Sequence, residues 1–200
     1  MIDYADDYIE FLNEAVTPFH AVAELKHRFE DAGFTKVDPY ADWSVGGGDR
    51  LMIESADGRS LIAIIVGEVC PAHGGFAIVG AHTDSPDLRL KPRPTSEKAG
   101  VVRLHTQFHG GVIYRSWLDR PLDLGGCVYH IVRDENGAPK YCENSALPEV
   151  QATLVRARQP VAVIPDLAIH LDRDKNDKGE INPEKWLNAV LGTGSRDELV

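Results

Sequence analysis

The sequence predicts an α/β protein, in which two helices and a short buried sheet make half of an α/β sandwich and a β-rich unit follows. Three observations carry that expectation. Apolar residues recur at helical spacing up to Ala32. Short apolar runs bounded by turn signals then extend from Arg50 to Ala81. Beyond Gly100, strand-like pieces alternate with turns such as Glu135-Asn136-Gly137.

Each element has its own signal. Tyr4, Tyr8, Phe11, Leu12 and Ala15 share one face of a helix over Asp3–Ala15. Thr17 is an N-cap ahead of Pro18, which opens a second helix that ends near Ala32 with Gly33 as its stop. Ala21, Leu25 and Phe29 line its apolar face. Arg50–Ser55 and Ser60–Gly67 read as a hairpin over Asp57-Gly58. Phe76–Ala81 is apolar on both faces, as a covered strand is. A sheet of this kind ordinarily has about five or six strands, so this half looks incomplete, with edges open to association. The stretch KPRPTSEKAG (Lys91–Gly100) reads as a linker or crossover, which divides the chain into 1–91 and 92–200. VVRLHTQF, GGVIYRSWLD, GGCVYHIVRD and ATLVRARQPVAVI then suggest antiparallel strands. Asp172–Asn182 reads as a polar loop and Glu184–Leu191 as a helix.

Composition narrows the function classes. With 43% hydrophobic and 26% charged residues in 200, the chain can bury a core without a disulfide or metal staple. A formal charge of -10 argues against a nucleic-acid surface, which needs clustered Lys and Arg. Cys70, Cys127 and Cys142 are odd in number and lack CxxC spacing, so a reducing compartment is expected. The acidic start is unlike a secretory signal. No apolar run approaches the roughly 18 residues a membrane span needs. The expected location is cytoplasmic, with no nucleic-acid or membrane partner.

Most candidate motifs fail on their own chemistry. Asp172–Asn182 resembles a calcium loop, but an EF-hand needs Gly at its sixth position and Glu at its twelfth. Counting from Asp172 gives Asp177 and Pro183; counting from Asp174 gives Gly179 and Lys185. Gly46-Gly47-Gly48 lacks the Lys-Ser/Thr of a phosphate loop. His20, His27, His73, His105, His109 and His130 have no partner at ligand spacing. On an extended strand, His105 and His109 would stand about 13 Å apart.

His82 and Asp84 differ. They follow an apolar run, and alternate residues of an extended segment face the same way. Ligands of open α/β sheets bind at the carboxyl ends of strands. A neutral imidazole is a metal donor, and a nearby carboxylate can hold its other nitrogen. By itself HxD leaves two readings open, a metal site or polar groups satisfied by loop contacts.

Longer blocks carry a resemblance. TPFHAV (Thr17–Val22), SLIAIIVGE (Ser60–Glu68), GAHTDSPDLRLKPRP (Gly80–Pro94), GGVIYRSWLDRPLDLGG (Gly110–Gly126) and VIPDLAIHLDRDKNDKGEINP (Val163–Pro183) occur in this order. Together they resemble the aspartyl aminopeptidase family of dinuclear zinc exopeptidases, over nearly the whole chain. The resemblance implies an incomplete α/β/α zinc-exopeptidase-like sandwich interrupted by a β-rich dimerisation domain. It implies removal of N-terminal, often acidic, residues from peptides, with two zinc ions activating a bridging water and a glutamate taking its proton. His82 would be a zinc ligand and Asp84 its orienting carboxylate. His170 would reach the partner subunit's active site and help stabilise the tetrahedral intermediate. Trp117, Asp119 and Arg120 match a further block and read as structural, with an Asp–Arg pair.

The family's bridging aspartate, its Glu-Glu pair and its remaining ligands have no counterpart here; the sequence contains no adjacent Glu-Glu. One histidine cannot hold two zinc ions, since each takes about three protein ligands. The chain therefore reads as the N-terminal half of such an enzyme, inactive alone. The alternative is a non-catalytic module that self-associates through its β-rich half.

Overall fold

A computed structural model describes residues 4–143, 145–174, 181–182 and 187–199. The chain is mixed α/β and divides into two compact units, Met1–Asp84 with Gly125–Val155, and Ser85–Leu124 with Arg156–Val200.

In the first unit, helix α1 spans Tyr4–Glu14 and helix α2 spans Pro18–Asp31. The expected cap forms: Thr17 is extended at φ -141°, and its hydroxyl accepts from the His20 amide at 3.4 Å. The far end closes as a Schellman motif. Gly33 adopts φ +84°, its amide donates to Glu30 O, and the Phe34 amide donates to Phe29 O, both at 2.9 Å. The Phe29 and Phe34 rings meet at 4.9 Å, the apolar contact that accompanies this motif. Arg28 ties the helices together, bonding Asp7 and Glu24 at 2.6 Å each and lying over the Phe11 ring.

The sheet of this unit has the order β1 (Thr35–Lys36), β2 (Arg50–Glu54), β3 (Leu61–Ile65). β2 and β3 form the expected antiparallel hairpin, while the short parallel β1 carries no sequence signal. Glu54 is the polar junction. Lys36 on β1 and Lys26 on α2 donate to its carboxylate at 2.6 and 3.2 Å, and the bond from Lys36 is the main reason its pKa falls below the usual carboxylate value. Ala21, Val22 and Met52 form the buried core. β7 (Gly125–Ile131) and β8 (Val150–Arg156) pair as a separate ribbon.

Phe76–Ala81 is not a strand. It is irregular, with Phe76, Ile78 and Val79 at 81, 86 and 96% exposure. An extended segment becomes a strand only when its amides and carbonyls join a neighbouring ladder. Among the described residues none pairs with it, or with the free edge of β3.

In the second unit the sheet order is β4 (Asp87–Lys98), β5 (Val101–His109), β10 (Ala189–Thr193), β9 (Ala162–Val163), β6 (Pro121–Leu122). The expected linker Lys91–Gly100 thus lies mostly inside β4, and the chain passes from the first compact unit to the second between Asp84 and Ser85. Pro92 and Pro94 fall where register breaks, between Leu90 and Thr95, the irregularity that spares a proline from donating to a ladder. Pairing resumes from Thr95 to Lys98 and reverses at Ala99-Gly100. Their φ values of 55° and 72° make the type I′ turn of a two-residue hairpin.

Two further expectations change. Tyr114–Trp117 is a 3₁₀ turn instead of a strand, closed locally because the Ser116 hydroxyl and amide both bond the Ile113 carbonyl, at 2.7 and 3.1 Å. The expected helix Glu184–Leu191 gives way to β10, which pairs antiparallel with β5 and β9; residues 183–186 lie outside the described residues. Of the polar loop, residues 175–180 also lie outside them. Leu104, Ile164, Leu187 and Ala189 form the core, flanked by Phe108, Tyr114 and Trp117.

Ala99 holds a left-handed conformation that costs an L-residue with a Cβ about 1 kcal/mol and that asparagine tolerates. Ala99→Asn is expected to raise stability by about 0.5–1 kcal/mol, read as a higher midpoint in urea. A lower midpoint would contradict the type I′ turn.

Candidate functional site

The site is built from the β2–β3 hairpin outward. At the turn, the Ser55 hydroxyl bonds Asp57 Oδ1 at 2.7 Å, the Arg59 amide reaches the same oxygen at 3.2 Å, and the Arg59 guanidinium reaches Oδ2 at 2.7 Å. Gly58 supplies the left-handed residue, φ +67°. The Ser55 hydrogen bond, with those of Arg59, pulls the Asp57 carboxyl down to about 2.

This locked turn presents the Arg59 carbonyl, which accepts from the Thr83 hydroxyl at 2.8 Å. Thr83 is an anchor that sequence reasoning missed; its only signal was its position between His82 and Asp84, next to a strong turn. With Thr83 tied to the hairpin, its neighbours come together: His82 Nδ1 stands 3.1 Å from Asp84 Oδ1. The imidazole is 89% exposed and the carboxylate 38%. A neutral ring donating Nδ1–H to Asp84 keeps the Nε2 lone pair outward, the arrangement of a metal donor steadied by a carboxylate. The preceding residues form no strand, so the pair sits on an anchored loop and not at a strand tip.

The donor chemistry suits zinc, but the donor number does not. Among the described residues, no three His, Cys, Asp or Glu side chains converge on a common point. His82 provides one ligand of an ion that needs about three from protein.

His170 belongs to the second unit. It lies in a turn, not a strand, closed by the Leu171 and Asp172 amides on the Ala168 carbonyl at 2.8 and 3.2 Å, and it is exposed. The expected Asp119–Arg120 pair does not form. Asp119, at φ +51°, instead accepts from the Asp166 amide through Oδ1 at 2.9 Å, while its own amide donates to Ile164 O at 2.9 Å. The remaining histidines fit ordinary roles where bonds are seen: His105 sits between Ser96 Oγ at 2.7 Å and Asn188 Oδ1 at 3.0 Å, and His20 bonds the capping hydroxyl of Thr17.

Comparison with known proteins adds an independent line. Residues 11–199 match the model of a family described as aminopeptidase I zinc metalloprotease, M18. A probable M18 family aminopeptidase 2 of Pseudomonas entomophila is 40% identical over 192 residues, 96% of this chain and 41% of that protein. The chain spans about two fifths of the length of the curated relatives it matches. Among solved structures, a chain of the Ape4 and Nbr1 complex is 32% identical with a TM-score of 0.82, over 96% of this chain and 34% of that one. The mApe1 of Chaetomium thermophilum is 28% identical with a TM-score of 0.79, over 97% and 41%.

The hairpin turn makes a pH prediction. The Asp57 carboxyl titrates lower folded than unfolded, where it is about 3.9. Its contribution to stability is therefore full above the unfolded value and is lost as pH falls through about 2. Carboxyl-resolved NMR titration should return a value near 2 for Asp57, and Asp57→Asn should flatten the stability profile on that acid limb. An ordinary titration would contradict the hydrogen bonds assigned to Asp57 in this turn.

Proposed function

The chain belongs to the aminopeptidase I zinc metalloprotease family, M18, and on that premise we propose that the longer protein it corresponds to releases N-terminal acidic residues from peptides. The observation that carries the site assignment is the 3.1 Å contact of His82 with Asp84 on a loop anchored through Thr83. His82 offers Nε2 to a zinc ion. Asp84 holds Nδ1–H, which fixes the tautomer and the ring's direction. A zinc ion held by His82 together with ligands from the part of the relatives that this chain does not span would supply Lewis acidity for activating water and polarising the scissile carbonyl. His170 donates a hydrogen bond to the oxyanion that develops on the substrate in the partner subunit's site.

In this reading, residues 1–91 begin the catalytic domain and residues 92–200 form the dimerisation domain. The remaining ligands of two zinc ions come from the part of the relatives that this chain does not span. The 200 residues are inactive alone, consistent with His82 being joined by no second donor among the described residues. The location is a reducing cytoplasm, which suits the free thiols Cys70, Cys127 and Cys142. No helix among the described residues is long and apolar enough to cross a membrane.

A second reading is favoured by the exposed run Phe76–Val79 and the free edge of β3. In it the isolated chain is a self-associating module that binds no stoichiometric zinc. Native mass spectrometry with metal analysis separates the two: oligomers without zinc support the module, whereas about two tightly bound ions per chain would overturn it.

For the peptidase reading, the full-length reading frame loaded with zinc should cleave an acidic aminoacyl substrate. His82→Ala should lower kcat/KM by more than about a hundredfold, and Asp84→Asn by about ten- to a hundredfold. Turnover undiminished in His82→Ala would refute the assignment.

A further inference from the structure

We infer that Asp119 is a positioning residue for His170, clamping the root of the segment that carries the histidine. This rests on the reading that His170 acts on the substrate. Ile164 is fully buried at 0% exposure within the core of the second unit, and it bridges in parallel with Leu118. One residue on, Asp119 grips the same segment at two points. Its amide donates to Ile164 O at 2.9 Å, and its carboxylate accepts from the Asp166 amide at 2.9 Å. Only Pro165, which has no amide to donate, lies between the two points of attachment.

From Asp166 the chain runs directly into the turn at Ala168 that exposes His170. The clamp therefore lies between a fully buried core residue and a solvent-facing histidine. It adds a point of attachment two residues beyond Ile164, on the side from which the turn of His170 departs.

Residue type and backbone agree with this role. At φ +51° most side chains are strained, and a non-glycine residue persists there when its surroundings hold it. Aspartate tolerates the left-handed region and places a short acceptor beside a nearby amide. The absence of an ion pair with Arg120 leaves the bond to Asp166 as the assigned role of this carboxylate. A displacement of about 1 Å in a reacting group can cost a hundredfold in rate, so a clamp three residues long is enough to matter.

The test uses the full-length, zinc-loaded protein and the variants Asp119→Asn, Asp119→Gly, His170→Ala and the Asp119→Gly/His170→Ala double variant. Asparagine keeps both the acceptor and the tolerance for positive φ, so its activity should stay within about twofold of wild type. Glycine keeps the backbone conformation but loses the acceptor, so kcat should fall about ten- to a hundredfold with KM nearly unchanged. The double variant should be no slower than His170→Ala, because residues acting as one unit do not add. Full activity in Asp119→Gly beside an impaired His170→Ala would overturn the clamp, as would losses that multiply in the double variant. A silent His170→Ala would instead reject the reading of His170. Amide exchange over residues 164–172 tests the clamp without relying on turnover. Slow exchange at Asp166 in wild type and in Asp119→Asn supports it, and fast exchange in folded wild type overturns it even if the glycine variant does not fold.

Discussion

Main-chain hydrogen bonding governs where this chain is ordered and where it is exposed. A strand needs a neighbour for its amides and carbonyls as well as an apolar face to bury. In the second unit both needs are met. β5 is flanked by β4 and β10, and its inward residues Val102 and Leu104 are buried. In the first unit the sheet stops at β3, whose Ile62 and Ile65 stay more than half exposed. The apolar run after it joins no ladder among the described residues. Isolated exposed apolar residues are normal, whereas an exposed apolar run and an unpaired strand edge are the kinds of surface that partners cover.

The two histidines proposed for the site answer this constraint in the same way. Each sits on a loop, outside any strand, and gains its direction from a nearby hydrogen-bonded root. For His82 the root is the Asp57 turn acting through Thr83; for His170 it is the contact of Asp119 with Ile164 and Asp166. Exposed functional side chains on loops held by a rigid scaffold are a common solution, because the loop frees the donor atom while the root limits its wandering. In both cases the root depends on a carboxylate that accepts a main-chain amide, close in sequence for Asp57 and 47 positions away for Asp119.

Much of the fold was legible because its signals are local. Thr17, Pro18 and Gly33 specify the ends of α2 through caps that involve only near neighbours, and Asp57-Gly58 specifies the hairpin. The pairing of His82 with Asp84 was legible for the same reason, since the two lie only two residues apart, although the chain bends between them instead of continuing a strand. What was missed depends on distant partners. Lys91–Gly100 has the composition of a linker, yet most of it is strand because β5 returns beside it through a turn whose Ala99 departs from the usual Asn-Gly signal. Ala189–Leu191 reads as the end of a helix but belongs to β10, extended because β5 and β9 offer edges on both sides. Phe76–Ala81 has the apolar character of a covered strand, with Phe76, Ile78 and Val79 favouring one, and lacks a neighbouring ladder among the described residues.

The sequence by itself determined the α/β class, the N-terminal helices with their caps, the first hairpin and the identity of the candidate donor and its carboxylate. These follow from side-chain periodicity and from contacts a few residues long. Only the tertiary structure decided that the donor's loop is held through Thr83, that Asp119 serves the His170 segment and not Arg120, and that the described residues bring no second or third ligand to His82. The first two outcomes turn on a side chain meeting a main-chain group across 24 and 47 positions of sequence, and no local pattern of residue types encodes such a meeting.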